Sequence, residues 1–130
     1  MTQAALGFLL RNLREERGLT LRELAQLAEV DHAYVYRLET GAKESPSEEV
    51  LSRLIKALKA PKREAEMIRF LAANTATDVG LVEYVRREAA VTFEEFTGAA
   101  SMAFRGTGRP DYATRIDRVR RFIRDDDGHG

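Results

Sequence analysis

A chain of 130 residues, 44% of them hydrophobic, is sized for one small domain or a small domain with a helical appendage, with an adequate core but no large one. It has no cysteine, which excludes disulfides and thiolate metal sites, and its formal net charge of +0 removes any bulk attraction to polyanions. A local cationic face is still available. Only Lys43, Lys56, Lys59 and Lys62 among the 21 basic residues are lysine, and the rest are arginines, suited to planar, bidentate contacts.

The opening "MTQAALGFLLRNLREERG" has no basic leader, and Arg11 interrupts its apolar run, so neither a signal peptide nor a membrane span is expected. A cytoplasmic protein with no membrane partner is the expectation. Leu6, Leu9, Leu10 and Leu13 instead form the stripe of a first helix, with Gly18 as its stop. Thr20 is a candidate N-cap, and Glu23 three residues on completes a capping box for a second helix carrying Leu24, Ala25 and Ala28. Asp31 opens a third helix, "HAYVYRLET", which Gly41 closes. "AKESPS" reads as a loop, and Ser47 caps a fourth helix with Val50, Leu51, Leu54, Ile55 and Leu58 as its stripe. Pro61 breaks the chain before a fifth helix over 62–73, built on Met67, Ile68 and Leu71.

"NTATDVG" reads as a joint, with Asp78 capping a sixth helix that runs to about Ala90. Thr92 and Glu95 repeat the capping-box pattern for a seventh helix with Phe93, Phe96, Met102 and Phe104. "RGTGRP" is a turn-rich connector. A last helix carries Ile116, Val119, Phe122 and Ile123, and "DDDGHG" is a tail expected to be disordered. The pattern holds no β-strand and no internal repeat. It predicts an all-α chain with a first domain over 1–75, a helical region over 76–124 and a disordered tail over 125–130.

The third helix is unusual in one respect. Val35 and Leu38 are its only firm apolar anchors, and His32, Tyr34, Tyr36 and Arg37 occupy the remaining positions. Such a helix offers a face to something outside the protein. Together with the second helix, at about eight residues each and a short turn between, it describes a helix-turn-helix. At this point the run "LREERGLTLRELAQLAEVDHAYVYRLETG" resembles the Cro/C1-type (XRE) helix-turn-helix repressors. The likeness lies in the Arg-x-x-Arg-Gly-Leu-Thr run from Arg14 to Thr20, "ELA" at 23–25, Val30, and the ending at Glu39 and Gly41. Pro46 and "EEVLSRLIKAL" fit the family's fourth helix. The resemblance covers residues 5–73.

That resemblance implies a five-helix, lambda-repressor-like DNA-binding domain followed by about three further helices. It also implies a sequence-specific transcriptional regulator, a dimeric repressor of a palindromic operator, with double-stranded DNA as partner. By position, His32, Ala33, Tyr36 and Arg37 point at bases in the major groove, and Arg37 is the candidate for a bidentate contact to guanine. Thr20 and Arg22 at the start of the second helix, with Thr40 and Lys43, are candidates for phosphate. Arg14 and Glu39 correspond to an ion pair that ties the first helix to the end of the third, a structural role. The sequence departs from the family at Leu21, where a phosphate-touching glutamine is usual, and at Glu29, where glycine often supplies a left-handed turn. Tyr34 and Tyr36 are bulkier than the usual serine or threonine. Tyr34 is read as partly packed, and Tyr36 is open to packing or to contact with DNA.

In the C-terminal region, Leu81, Tyr84, Val85, Phe93, Phe96, Ile116, Val119 and Phe122 are read as a dimer interface, since their stripes need a partner surface, with the phenylalanines at 93, 96, 104 and 122 open to core packing as well as to a dimer seam. The same helices offer an alternative, an antitoxin that binds a toxin through them and represses its own operon, and a protease is a further conceivable partner. Arg105, Arg109, Arg115, Arg118, Arg120, Arg121 and Arg124, balanced by Asp111, Asp117 and Asp125 to Asp127, read as a solvated face or an intersubunit ion-pair network. No nucleophile–base constellation, phosphate loop or metal-ligand spacing is present, and His129 stands alone in the tail. No catalytic residue, metal site or cofactor is expected, and the chain is not read as an enzyme.

Overall fold

The computed structural model describes residues 4–41, 46–102 and 111–127. Lys43, Phe104, Arg105, Arg109 and His129 lie outside the described residues. The fold among them is all-α, with no strand. The helices are α1 (Ala5–Glu16), α2 (Leu21–Ala28), α3 (His32–Thr40), α4 (Glu48–Leu58), α5 (Lys62–Ala73), α6 (Val79–Arg87), α7 (Phe93–Ala100) and α8 (Tyr112–Asp127). The chain divides into two compact units, Met1–Val79 and Gly80–Gly130.

Helix ends in the first unit follow from local chemistry. The Thr20 hydroxyl accepts from the Glu23 amide at 3.1 Å, and the Glu23 carboxylate accepts from the Thr20 amide at 2.9 Å, closing the capping box of α2. The Asp31 carboxylate accepts from the Ala33 amide at 2.9 Å, and the Ser47 hydroxyl accepts from the Val50 amide at 3.2 Å, which starts α3 and α4. Gly18 and Gly41 take positive φ after α1 and α3. Glu29 and Lys59 also sit in the left-handed region, at φ 58° and 50°, as the C-caps of α2 and α4.

Periodic apolar residues then meet. Leu9, Leu10, Leu24, Val35, Leu54, Met67 and Ile68 are fully or almost fully buried. α1 packs on α3 and α5, and α2 packs on α3 and α4. The α1–α3 approach is close enough to forbid a side chain at Gly7, where a Cβ would come 2.6 Å from the Leu38 carbonyl oxygen. Arg17 donates to the Ala57 carbonyl, satisfying one of the open carbonyls at the end of α4. Residues 74–77 fold back on the helix before them. The Asn74 side chain and the Thr77 hydroxyl donate to the Phe70 and Asn74 carbonyls, at 2.8 and 2.7 Å, and tie that stretch to the end of α5.

In the second unit, Leu81, Val82, Val85, Phe96, Ala99 and Ile116 form the core, and α7 packs on α8. The Tyr84 and Tyr112 rings lie 5.9 Å apart. Here several expectations need correction. α6 ends at Arg87 rather than near Ala90, because a turn closed by the Val91 amide on the Glu88 carbonyl, 3.1 Å, buries Val91 instead. α8 continues to Asp127, into the tail expected to be disordered, since adding a residue to an existing helix needs no new nucleus. Leu81, Val85, Phe96, Ile116 and Val119, read as a subunit seam, are buried in the single chain, and Tyr84 and Phe93 are half-buried. Phe122 alone of that set is well exposed, at 74%.

The arginine run is corrected as well. Arg115 is buried and donates to the Ala99 carbonyl at 2.8 Å, while Arg120 pairs with Glu95 of the same chain at 2.9 Å. That pairing holds the Arg120 guanidinium above the ordinary arginine pKa. Arg118, Arg121 and Arg124 are exposed. No described helix is long and apolar enough to cross a membrane.

Candidate nucleic-acid interface

The geometry around α3 begins with what fixes it. Val35 and Leu38 are buried, so one side of the helix is anchored in the core. Its C-terminal end is held by charge. The Arg14 guanidinium donates from Nε to Glu39 Oε2 at 2.7 Å and from Nη2 to Oε1 at 3.0 Å, while its Nη1 donates to the Leu19 carbonyl at 2.8 Å. This is a bidentate pair with little solvent access, the side chains being 13% and 5% exposed. Hydrogen bonding to Glu39 raises the Arg14 pKa above its ordinary value, against the opposing effect of burial. One arginine thereby joins α1, the α1–α2 turn and the end of α3.

The α2–α3 turn is set by backbone geometry. Glu29 adopts the left-handed conformation, Val30 donates to the Ala25 carbonyl at 2.9 Å, and Arg53 of α4 reaches the Glu29 carbonyl at 3.5 Å. Buried Ala25 and Ala28 let α2 lie close to its neighbours. The result is a short, braced connection between two helices of 8 and 9 residues.

The outer side of α3 carries His32, Ala33, Tyr36 and Arg37, all exposed. Tyr36 is 56% exposed, which places it on the surface rather than in the core. His32 Nδ1 lies 3.7 Å from Asp31 Oδ1. Tyr34 is half-buried, and the Arg37 guanidinium carbon lies 5.7 Å from its ring centroid. Thr20 and Arg22 are exposed at the start of α2. The hydrogen bond from the Thr20 amide holds the Glu23 carboxyl below the usual carboxylate range, so a negative charge stands beside that helix start. Thr40 is exposed too, and its hydroxyl donates to the Tyr36 carbonyl at 2.9 Å.

Sequence reasoning missed several features. The Arg14 bond to the Leu19 carbonyl and the Arg53 bond to the Glu29 carbonyl end on backbone, which no residue identity announces. Gly7 fell inside an apolar stripe and drew no notice. The Tyr34–Arg37 contact had a signal, an aromatic and an arginine three apart on one helix.

An exposed helix face of arginine, histidine and tyrosine, rigidly held on a compact core, is suited to entering the major groove of DNA. Residues 5–67 match the family model described as a helix-turn-helix domain. Curated relatives include the transcriptional regulator ClgR of Mycobacterium tuberculosis, from strains CDC 1551 / Oshkosh and ATCC 25618 / H37Rv. Each is 39% identical over 61 residues, a match that takes in 47% of this chain and 54% of the relative. The chain thus spans about half the length of the curated relatives it matches. Among solved structures, the clp gene regulator ClgR from C. glutamicum is 39% identical, with a TM-score of 0.44, over 55% of this chain and 88% of that one.

Proposed function

We propose that the chain, whose residues 5–67 match the helix-turn-helix domain model, is a sequence-specific DNA-binding regulator of transcription. The observation that carries this reading is the anchored but outwardly polar α3. Val35, Leu38 and Glu39 hold it from behind, and His32, Ala33, Tyr36 and Arg37 are left exposed in front. Arg37 supplies two parallel N–H donors for guanine O6 and N7. Ala33 meets a thymine methyl, and His32 donates or accepts at a base edge. Thr20, Arg22 and Thr40 bind phosphate through their side chains and set the register, as Lys43 does by its position in sequence.

A single such motif reads only a few base pairs, so we propose a dimer on two half-sites about one helical turn apart, acting as a repressor at a palindromic operator. With most of the expected seam buried in the single chain, Phe122 on α8 is the remaining apolar candidate for the subunit contact.

Binding measured at one fixed salt concentration tests the assignment. Arg37→Ala should cost about 1–3 kcal/mol of specific binding and relax preference at one base position per half-site. Arg22→Ala should weaken binding to all sequences alike and reduce the salt slope by about one. A uniform loss from Arg37→Ala would remove it from base readout.

A further inference from the structure

We propose that Tyr34 is a positioning residue for sequence readout, its ring holding the Arg37 guanidinium where α3 needs it to read guanine. This rests on the reading of α3 as the DNA-contacting helix. Arg37 is exposed, and a free arginine must give up rotamer freedom each time it engages a base. Here the guanidinium carbon already lies 5.7 Å from the Tyr34 ring centroid, inside the range of a cation–π contact.

The platform is itself held. Tyr34 is half-buried, whereas Tyr36, His32 and Ala33 around it are exposed. Tyr34 and Arg37 line a shallow surface depression together with Val30, Asp31, Ser47 and Val50. The cation–π contact is electrostatic and places no hydrogen-bond acceptor against the guanidinium N–H edges. Those edges are the donors that a bidentate guanine contact uses, so the ring does not compete with the base. Tyr34 therefore acts through Arg37 and needs no contact of its own with DNA.

The test measures preference between the best duplex and the same duplex with the Arg37-contacted base pair changed. It uses the full chain with Tyr34→Phe, Tyr34→Leu, Arg37→Ala and the double change Tyr34→Leu with Arg37→Ala. Tyr34→Phe keeps the π face and should keep the preference. Tyr34→Leu keeps apolar bulk but loses the π face, and should lower the preference about two- to fivefold. In the Arg37→Ala background Tyr34→Leu should change nothing further. The proposal is overturned if Tyr34→Leu retains full preference, if it weakens all duplexes equally, or if Tyr34→Phe loses as much as Tyr34→Leu, which would make the hydroxyl the active group. An Arg37→Ala variant with unaltered preference would overturn the reading of Arg37 and this proposal with it. An Arg37 effect beside an indifferent Tyr34→Leu overturns this proposal alone.

Discussion

Arg14 shows how much one side chain can organise. Its three hydrogen bonds reach Glu39 twice and the Leu19 carbonyl once. Removing the carboxylate leaves a guanidinium with one partner in a nearly closed site. Glu39→Ala should therefore destabilise the fold by about 3–5 kcal/mol, whereas the double change Arg14→Met with Glu39→Leu should recover much of that loss. Denaturant titration of the variants measures both, and a Glu39→Ala midpoint equal to wild type would contradict the account. Such residues are unevenly legible. The Arg14–Glu39 pairing could be expected because the two residues stand in a familiar pattern. The Leu19 carbonyl could not, because any residue provides a carbonyl and only the path of the turn decides which one faces the arginine. The bond from the Thr40 hydroxyl to the Tyr36 carbonyl was not foreseen for a related reason, since it too ends on backbone.

At the level of elements, caps were the most readable feature, because they are local. Thr20, Asp31, Ser47 and Thr92 all cap the helices they precede, and each bond closes within three residues. The α2–α3 turn follows the same logic with a strained residue. Glu29 holds φ 58° without the freedom of glycine, while its role toward Arg53 uses only its carbonyl. Glu29→Gly should keep that bond, relieve the backbone and raise stability by up to about 1 kcal/mol, offset in part by the looser unfolded chain. A lowered midpoint in denaturant would mean that the Glu29 side chain contributes more than the strain costs. The left-handed Lys59 at the end of α4 was not foreseen. The chain around it, "ALKAPK", shows Pro61 but no glycine, and a lysine gives no sign of an unusual φ. Gly7 escaped notice for the opposite reason. In sequence it is a weak helix residue, and only the approach of the α3 backbone explains it.

Over the whole molecule, the succession of helices was legible from periodicity, but what each apolar stripe packs against was not. A stripe states that a face must be covered, and it does not say by what. Most residues of the C-terminal stripes are buried in the single chain, and Phe122 is exposed. If Phe122 forms the proposed subunit contact, Phe122→Glu should turn a dimer into a monomer in sedimentation while leaving the melting temperature of the N-terminal unit unchanged. A dimer that survives the change would place the contact elsewhere. The central claim is that α3 reads base sequence. The measurement that bears on it most directly is selection of bound duplexes from a random pool by the full chain, beside the same selection with Arg37→Ala. The account predicts that the wild type enriches one short sequence containing an invariant guanine, and that Arg37→Ala enriches the same sequence with that guanine relaxed. Failure of the wild type to enrich any sequence, or an identical motif from both proteins, would contradict it.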